Sequence, residues 1–350
     1  MAEEHIYRLS TIDKSLVRVY IRYCLCFACD NADIDTIANK LALSTQRTVT
    51  QSPILAGTVR PVAGSSQEGR LEVAVTLQQM NGFQPRIRHL RSKAHIRPYE
   101  ELSASGMPPL ELICDDITPM PDKPDPPGSP VFAIQASFIR GGVIIALYLH
   151  HSVADIHGLG HIMRSMSGDL PVRKLDSDDL RSDSVEQSRL RDRLSGSRVV
   201  KAHEVPQPEN EESSTDEVCE PSRVETDRGS CRVFALDLEL INGTKDMMNE
   251  RFHYYQGFRA FRAGHMSGFD CTAAILWKAI MRACWPQSIP DDDQRSLYSN
   301  LVIPVNVRER IDPPLDEDFF GNAGIHANAY SALTRPVSYT HLTLPTKRIV

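Results

Sequence analysis

Hydrophobic and polar positions along this chain fall into blocks whose period changes abruptly. Residues 143–149, Val-Ile-Ile-Ala-Leu-Tyr-Leu, are apolar without a break, the pattern of a strand covered on both faces. Arg140-Gly141-Gly142 precedes the run, and residues 131–139 before it are also strand-like, which predicts a hairpin. Side chains alternate along a strand, so Val143, Ile145, Leu147, Leu149 and His151 share one face, and Ile144, Ala146, Tyr148 and His150 the other. Leu159, Ile162, Met163 and Met166 then recur at helical spacing, so the strand gives way to an amphipathic helix between Ser152 and Gly158. His157, His161 and Arg164 take the opposite, water-facing side of that helix.

The same patterns predict a loop and then a strand through Tyr20–Phe27, a helix over 34–43, and a strand over 71–77. Residues 108–130 are proline-rich and acidic and read as a surface loop. From 175 to 228 the chain is rich in Ser, Asp, Glu and Arg with few large apolar residues. That composition predicts a crossover linker, partly disordered, that packs no core. A strand over 231–238 and a helix over 240–248 follow. Ser267 and Asp270 have the spacing of a capping box, and the helix after them carries a stripe of Ala273, Trp277, Ile280, Met281 and Cys284. Residues 301–307 are the next strand. The expected division is a first α/β domain over 1–174, a linker over 175–230, a second, partial domain over 231–336, and a tail over 337–350.

Composition narrows the classes of function. A chain of 350 residues with 41% hydrophobic content has room for two domains. A net charge of −6 with both signs interspersed leaves no polybasic footprint, so neither nucleic acid nor an anionic membrane is an expected partner. No apolar stretch is long enough to span a bilayer and residues 1–10 are too polar for a secretory signal, so the cytoplasm is the expected compartment. Eight cysteines then read as reduced thiols. Cys24, Cys26 and Cys29 lack a second ligand pair and lie in an apolar run, so they read as core thiols and not as a metal site.

The candidate chemistry gathers behind the apolar strand. His151 ends it and Asp155 lies four residues on; an imidazole at a strand end, oriented by its surroundings, suits a general base. With twelve histidines in the chain the spacing is unspecific by itself, and the buried strand, the carboxylate in the turn and Gly158, which lets a helix start against neighbouring backbone, add the context. Asp155, His157 and His161 can be drawn as three metal ligands. The polar helix face already accounts for them, so no metal is expected.

His150-His151-Ser152-Val153-Ala154-Asp155 resembles the His-His-x-x-x-Asp core of the acyl-coenzyme A-dependent acyltransferases of the BAHD type and of peptide-synthetase condensation domains. The wider chain looks most like the fungal trichothecene 3-O-acetyltransferase group. Leu9-Ser10-Thr11-Ile12-Asp13 is similar to that group's opening Leu-Ser-Pro-x-Asp. Pro53–Gly57, the 267–270 helix start, Arg308-Glu309-Arg310, Pro313-Pro314-Leu315 and Phe320-Gly321-Asn322 follow in its order. Ile156 and His157 stand before Gly158 where the group usually has glycine after the aspartate.

The resemblance implies an α/β (α+β, mixed-sheet) chloramphenicol acetyltransferase-like fold of two domains with a channel between them, the second domain incomplete here. It implies acyl-CoA as co-substrate with no bound cofactor, a small-molecule acceptor, His151 as base, Asp155 as a structural residue paired with Arg308, and a monomer. His150, on the other strand face, is expected to pack or hydrogen-bond. Two rival functions share the residues: condensation on a carrier-protein thioester, and a catalytically silent fragment that only binds. Resemblance runs from about 9 to 328. Residues 337–350 look like translated cloning or adapter sequence, and the group's Asp-Phe-Gly-Trp-Gly element is absent. The chain therefore reads as an N-terminal portion with an artefactual end, and His341 is set aside.

Overall fold

The computed structural model describes residues 3–65, 70–120, 128–168, 174–196, 234–254, 266–284, 298–316 and 319–332. They divide into two compact units, residues 3–196 together with Leu315–Ala323, and residues 234–314 together with 324–332. The tail over 337–350, His341 and the linker beyond 196 lie outside the described residues.

The first unit is built on two sheets. In chain order its strands are β1 (Glu4–Arg8), β2 (Tyr20–Ala28), β3 (Thr58–Pro61), β4 (Leu71–Thr76), β5 (Arg86–His89), β6 (Ser129–Pro130), β7 (Phe132–Ile139) and β8 (Gly142–His150). Its helices are α1 (Thr11–Ser15), α2 (Ile34–Gln51), α3 (Leu77–Asn81), α4 (Tyr99–Ala104), α5 (Pro109–Leu112), α6 (Ile156–Ser167) and α7 (Ser177–Gly196). One sheet runs β1-β4-β3-β6 and the other β2-β8-β7-β5. Every pair is antiparallel except β5 with β7, so the architecture is mixed α/β.

Strand β8 lies inside the second sheet between β2 and β7, which explains why its sequence does not alternate. Val143, Leu147 and Leu149 enter the main core with residues of the first sheet, α2 and α6, while Ile144 enters a second core with Leu90, Ile96, Leu102, Leu112 and Ile117. The β7–β8 hairpin closes on Arg140-Gly141, with Ile139 opposite Gly142. Gly141 has φ +73°, the left-handed conformation that glycine adopts without strain.

Two stretches of the first unit differ from the sequence expectation. The proline-rich passage over 108–130 is not only surface: Leu112 and Ile117 are buried, and the carbonyls of Asp116 and Ile117 accept from Gln135 and Ser137 on β7. Those two polar side chains are buried on a sheet face and need acceptors, which the loop provides. The polar tract after 175 opens with the twenty-residue helix α7, not a linker. Leu180, Ser184, Arg191 and Leu194 are its buried positions. Their spacing is helical, but the stripe mixes apolar and polar residues, so hydrophobic periodicity does not register it.

In the second unit α8 (Leu238–Tyr254) packs on α9 (Gly268–Cys284), and β9 (Tyr298–Asn306) pairs antiparallel with β10 (Gly324–Ala332). Residues 234–237 are not a strand. Ser267 and Asp270 form the expected capping box, with Ser267 N–H donating to Asp270 at 2.8 Å and Asp270 N–H to Ser267 Oγ at 3.2 Å. The buried face of α9 is Cys271, Ala274 and Trp277, with Met281 packed beside it, while Ile280 and Cys284 are exposed. The indole N–H of Trp277 donates to Ser299 Oγ at 2.7 Å, which fixes that face against β9.

The start of β8 tolerates no side chain. A Cβ at Gly142 would lie 2.6–2.7 Å from the ring and Cβ of Tyr99, and Tyr99 is itself tied by its N–H to Arg140 O at 2.9 Å. Gly142→Ala is expected to destabilise the protein by about 1–3 kcal/mol through overpacking; the shift of the urea midpoint measures it, and an unchanged midpoint would contradict the packing described.

Candidate active site

The two adjacent histidines have opposite surroundings because the strand separates them. His150 is the last residue of β8 and sits opposite Tyr20 in register. Its N–H donates to Val131 O at 2.8 Å, whereas the N–H of His151 donates to Val19 O at 2.9 Å, on the other neighbour. The His150 ring is 2% exposed, lies edge-on to Tyr20 with ring centroids 5.4 Å apart, and accepts the Ser152 N–H at Nδ1 over 3.2 Å. Burial first, then the neighbouring His151 and Arg18, lower its pKa to about 4, so the ring is neutral at physiological pH. His151 is half-buried in the turn that follows. Its Nδ1 is buried and has no hydrogen-bond partner among the described residues.

From His150 the chain coils directly into α6: Val153 N–H returns to His150 O at 2.9 Å. Asp155 is the N-cap of α6, with extended backbone. Its Oδ1 accepts from His157 N–H at 3.1 Å and Gly158 N–H at 3.2 Å, two of the amides a helix start leaves unpaired. Its Oδ2 accepts from Ala323 N–H at 3.1 Å. The carboxylate thus ties the helix start to the returning segment Leu315–Ala323. Gly158 permits that approach: a Cβ there would lie 2.7 Å from the Ala154 Cβ and 3.3 Å from the Phe320 ring. His157 and His161 are half-buried, not on an open water face, and the His161 ring lies 6.1 Å from that of Phe320.

Under this turn lies a cluster that no reading of the motif anticipates. Asp13 and Arg191 are both fully buried and pair at 2.6 Å. Asp13 also accepts from Ser10 N–H at 2.8 Å and from the Nδ2 of Asn322 at 2.8 Å. Arg191 donates a second time to Val153 O at 3.0 Å and to Phe320 O at 2.9 Å. Asn322 reaches on from Asp13 to His151 O at 2.8 Å. The Ser10–Asp13 spacing is a capping box visible in the sequence, and α1 shows it complete. Arg191 sits in a polar tract, and nothing in its neighbours sets it apart.

Arg308 stands in the second unit just past β9 and is buried; its N–H donates to Asn306 Oδ1 at 3.1 Å and its guanidinium to the same atom at 3.3 Å. The cysteines of β2 are half-buried free thiols, and burial pushes Cys24 up to about 11. Among the described residues no group of three or more His, Cys, Asp or Glu could hold a metal ion, and no helix is long and apolar enough to cross a membrane.

Residues 19–169 match the family model of the trichothecene 3-O-acetyltransferase-like N-terminal domain, and residues 114–340 match that of the Transferase family. Eremophilane O-acetyltransferase prx11 of Penicillium rubens is 25% identical over 349 residues, covering 91% of this chain and 69% of that protein. The crystal structure of TRI101 of F. sporotrichioides complexed with coenzyme A and T-2 superposes with a TM-score of 0.61 at 18% identity, covering 94% of this chain and 69% of that one. Vinorine synthase superposes with a TM-score of 0.51 at 18% identity, over 97% of this chain and 72% of that one. The mixed-sheet fold is therefore that of TRI101 and vinorine synthase, and the chain belongs to the Transferase family, with an N-terminal domain of the trichothecene 3-O-acetyltransferase-like type.

Proposed function

We propose that the protein moves an acyl group, acetyl in the simplest case, from acyl-coenzyme A to a hydroxyl of a small secondary metabolite, with His151 as the general base. The observation that carries this reading is a half-buried histidine on the turn that ends β8, immediately before an aspartate-capped helix, in a chain whose relatives are named O-acetyltransferases. His151 takes the proton of the acceptor hydroxyl as its oxygen attacks the thioester carbonyl. The tetrahedral intermediate expels the coenzyme A thiolate, and the proton passes from His151 to that sulfur. No acyl-enzyme is formed.

Asp155 is assigned a structural role, because both of its oxygens accept from backbone amides. Arg308 is kept as its proposed ion-pair partner on the strength of the family resemblance. His150 is assigned no proton transfer: a group held neutral down to about pH 4 and packed on Tyr20 is a poor base near neutrality.

Two outcomes test the assignment. His151→Ala should slow thiol release from acetyl-coenzyme A, measured with a panel of hydroxylated acceptors, by ~10²–10⁴-fold; a variant near wild type would remove His151 from the mechanism. His150 makes itself felt in stability. Its folded pKa lies below the ordinary value of 6.5, so its contribution is complete above about pH 6.5 and is lost as the pH falls through about 4. The loss is on the order of 3 kcal/mol. His150→Gln should flatten the fall in urea midpoint across that window, and an equal slope in both proteins would show that the ring is not buried neutral.

A further inference from the structure

A general base needs a fixed ring, and in the serine-hydrolase triad a carboxylate supplies this by holding the second ring nitrogen. In this protein Nδ1 of His151 has no such partner among the described residues. Its backbone is held instead. The N–H of His151 is bound to Val19 O at 2.9 Å, its carbonyl accepts from Asn322 Nδ2 at 2.8 Å, and two residues on the carbonyl of Val153 accepts from Arg191 Nη2 at 3.0 Å. Asn322 and Arg191 converge in turn on the two oxygens of Asp13, at 2.8 and 2.6 Å.

We propose that Asp13, Asn322 and Arg191 are positioning residues for His151, Asp13 being the carboxylate that sets the base by orienting the two donors that clamp the carbonyls of its turn. The chemistry of position 322 is specific. Both groups its amide faces, the Asp13 carboxylate and the His151 carbonyl, are acceptors. The NH₂ end of the asparagine amide carries two donors and satisfies both at once, whereas the reversed amide would set oxygen against oxygen. Arg191 has the same geometry on a larger scale, one guanidinium spanning Asp13, Val153 O and Phe320 O. Asp155, four residues after the histidine, serves the helix start and Ala323 instead. In this arrangement a carboxylate distant in sequence, not the neighbouring one, fixes the base, and it acts through main chain.

The inference rests on the acyl-transfer reading for its kinetic readout alone, so the test has two arms. The first is the spectrum of the full chain with histidines labelled at Cε1, compared between wild type, Asn322→Ala and Asn322→Ser. The resonance of His151 should shift or broaden in Asn322→Ala while that of His150 stays. Asn322→Ser keeps one donor and leaves the Asp13–Arg191 pair intact, so it should be perturbed less and secures a folded variant. The second arm is thiol release from acetyl-coenzyme A: kcat should fall by about 10²-fold in Asn322→Ala, the cost of a small misplacement of a catalytic group, with KM for acetyl-coenzyme A within about twofold. A purely structural role would lower kcat only by the fraction of protein unfolded. The proposal is overturned by an unmoved His151 resonance in a folded variant, by a loss confined to KM, or by a loss equal to the unfolded fraction. If wild type releases no thiol with any acceptor, the acyl-transfer reading fails and the resonances alone decide the positioning role.

Discussion

The first unit depends on one buried ion pair. Asp13 and Arg191 are 178 residues apart in sequence, meet at 2.6 Å, and expose nothing to solvent. Removing two charges from water costs several kcal/mol per ion, and attraction alone does not reliably offset it. The pair is sustained because other donors and acceptors surround it. Asp13 accepts from Ser10 and Asn322 as well as from Arg191, and Arg191 donates to two main-chain carbonyls besides. The consequence is convergence: the start of the chain, the turn after β8, helix α7 and the returning segment Leu315–Ala323 are joined at one point. Removal of either partner would strand the other charge, which typically costs 3–5 kcal/mol.

That point lies under the turn carrying the catalytic candidate, and the placement matters for chemistry. Strand alternation separates two neighbouring imidazoles into unlike roles: His150, buried and neutral against Tyr20, and His151, half-buried at the strand's end. The hydrophobic core on either face of β8 determines where the strand ends. The polar cluster determines how the residue beyond that end is held. Helix α7 is also fastened to β1: Tyr7 donates to Asp183 at 2.6 Å in a partly buried contact, and burial pushes both groups up.

What could be read from sequence follows the physics of each signal. An apolar run such as Val143–Leu149 has a single economical solution, a strand covered on both faces, and the Arg140-Gly141 turn and the stripe of Leu159 and Ile162 extend the reading through α6. The Ser267–Asp270 cap was legible because its chemistry is local. Contacts between distant residues were not. Arg191 lies in a tract of Ser, Asp and Arg whose composition argues against any core, and only its partner 178 residues away explains its burial. Asn322 stands in the Phe-Gly-Asn sequence that carries the family resemblance, yet its task, donating to Asp13 and to His151 O, is visible only once the chain is folded. On α9 Trp277 and Met281 keep the expected face, but Cys271 and Ala274 are buried in place of Ile280 and Cys284, since the hydrogen bond of Trp277 to Ser299 anchors the face and periodicity alone does not.

The central claim is direct transfer from thioester to acceptor with His151 as base. The most direct measurement follows thiol release from acetyl-coenzyme A, with and without a hydroxylated acceptor, and takes the intact mass of the protein at the same time points. The account predicts release that requires the acceptor, an acetyl ester formed in equal amount, and a protein of unchanged mass. Release without acceptor accompanied by an acetyl adduct on the protein would contradict it, since the acyl group would then have passed through the enzyme.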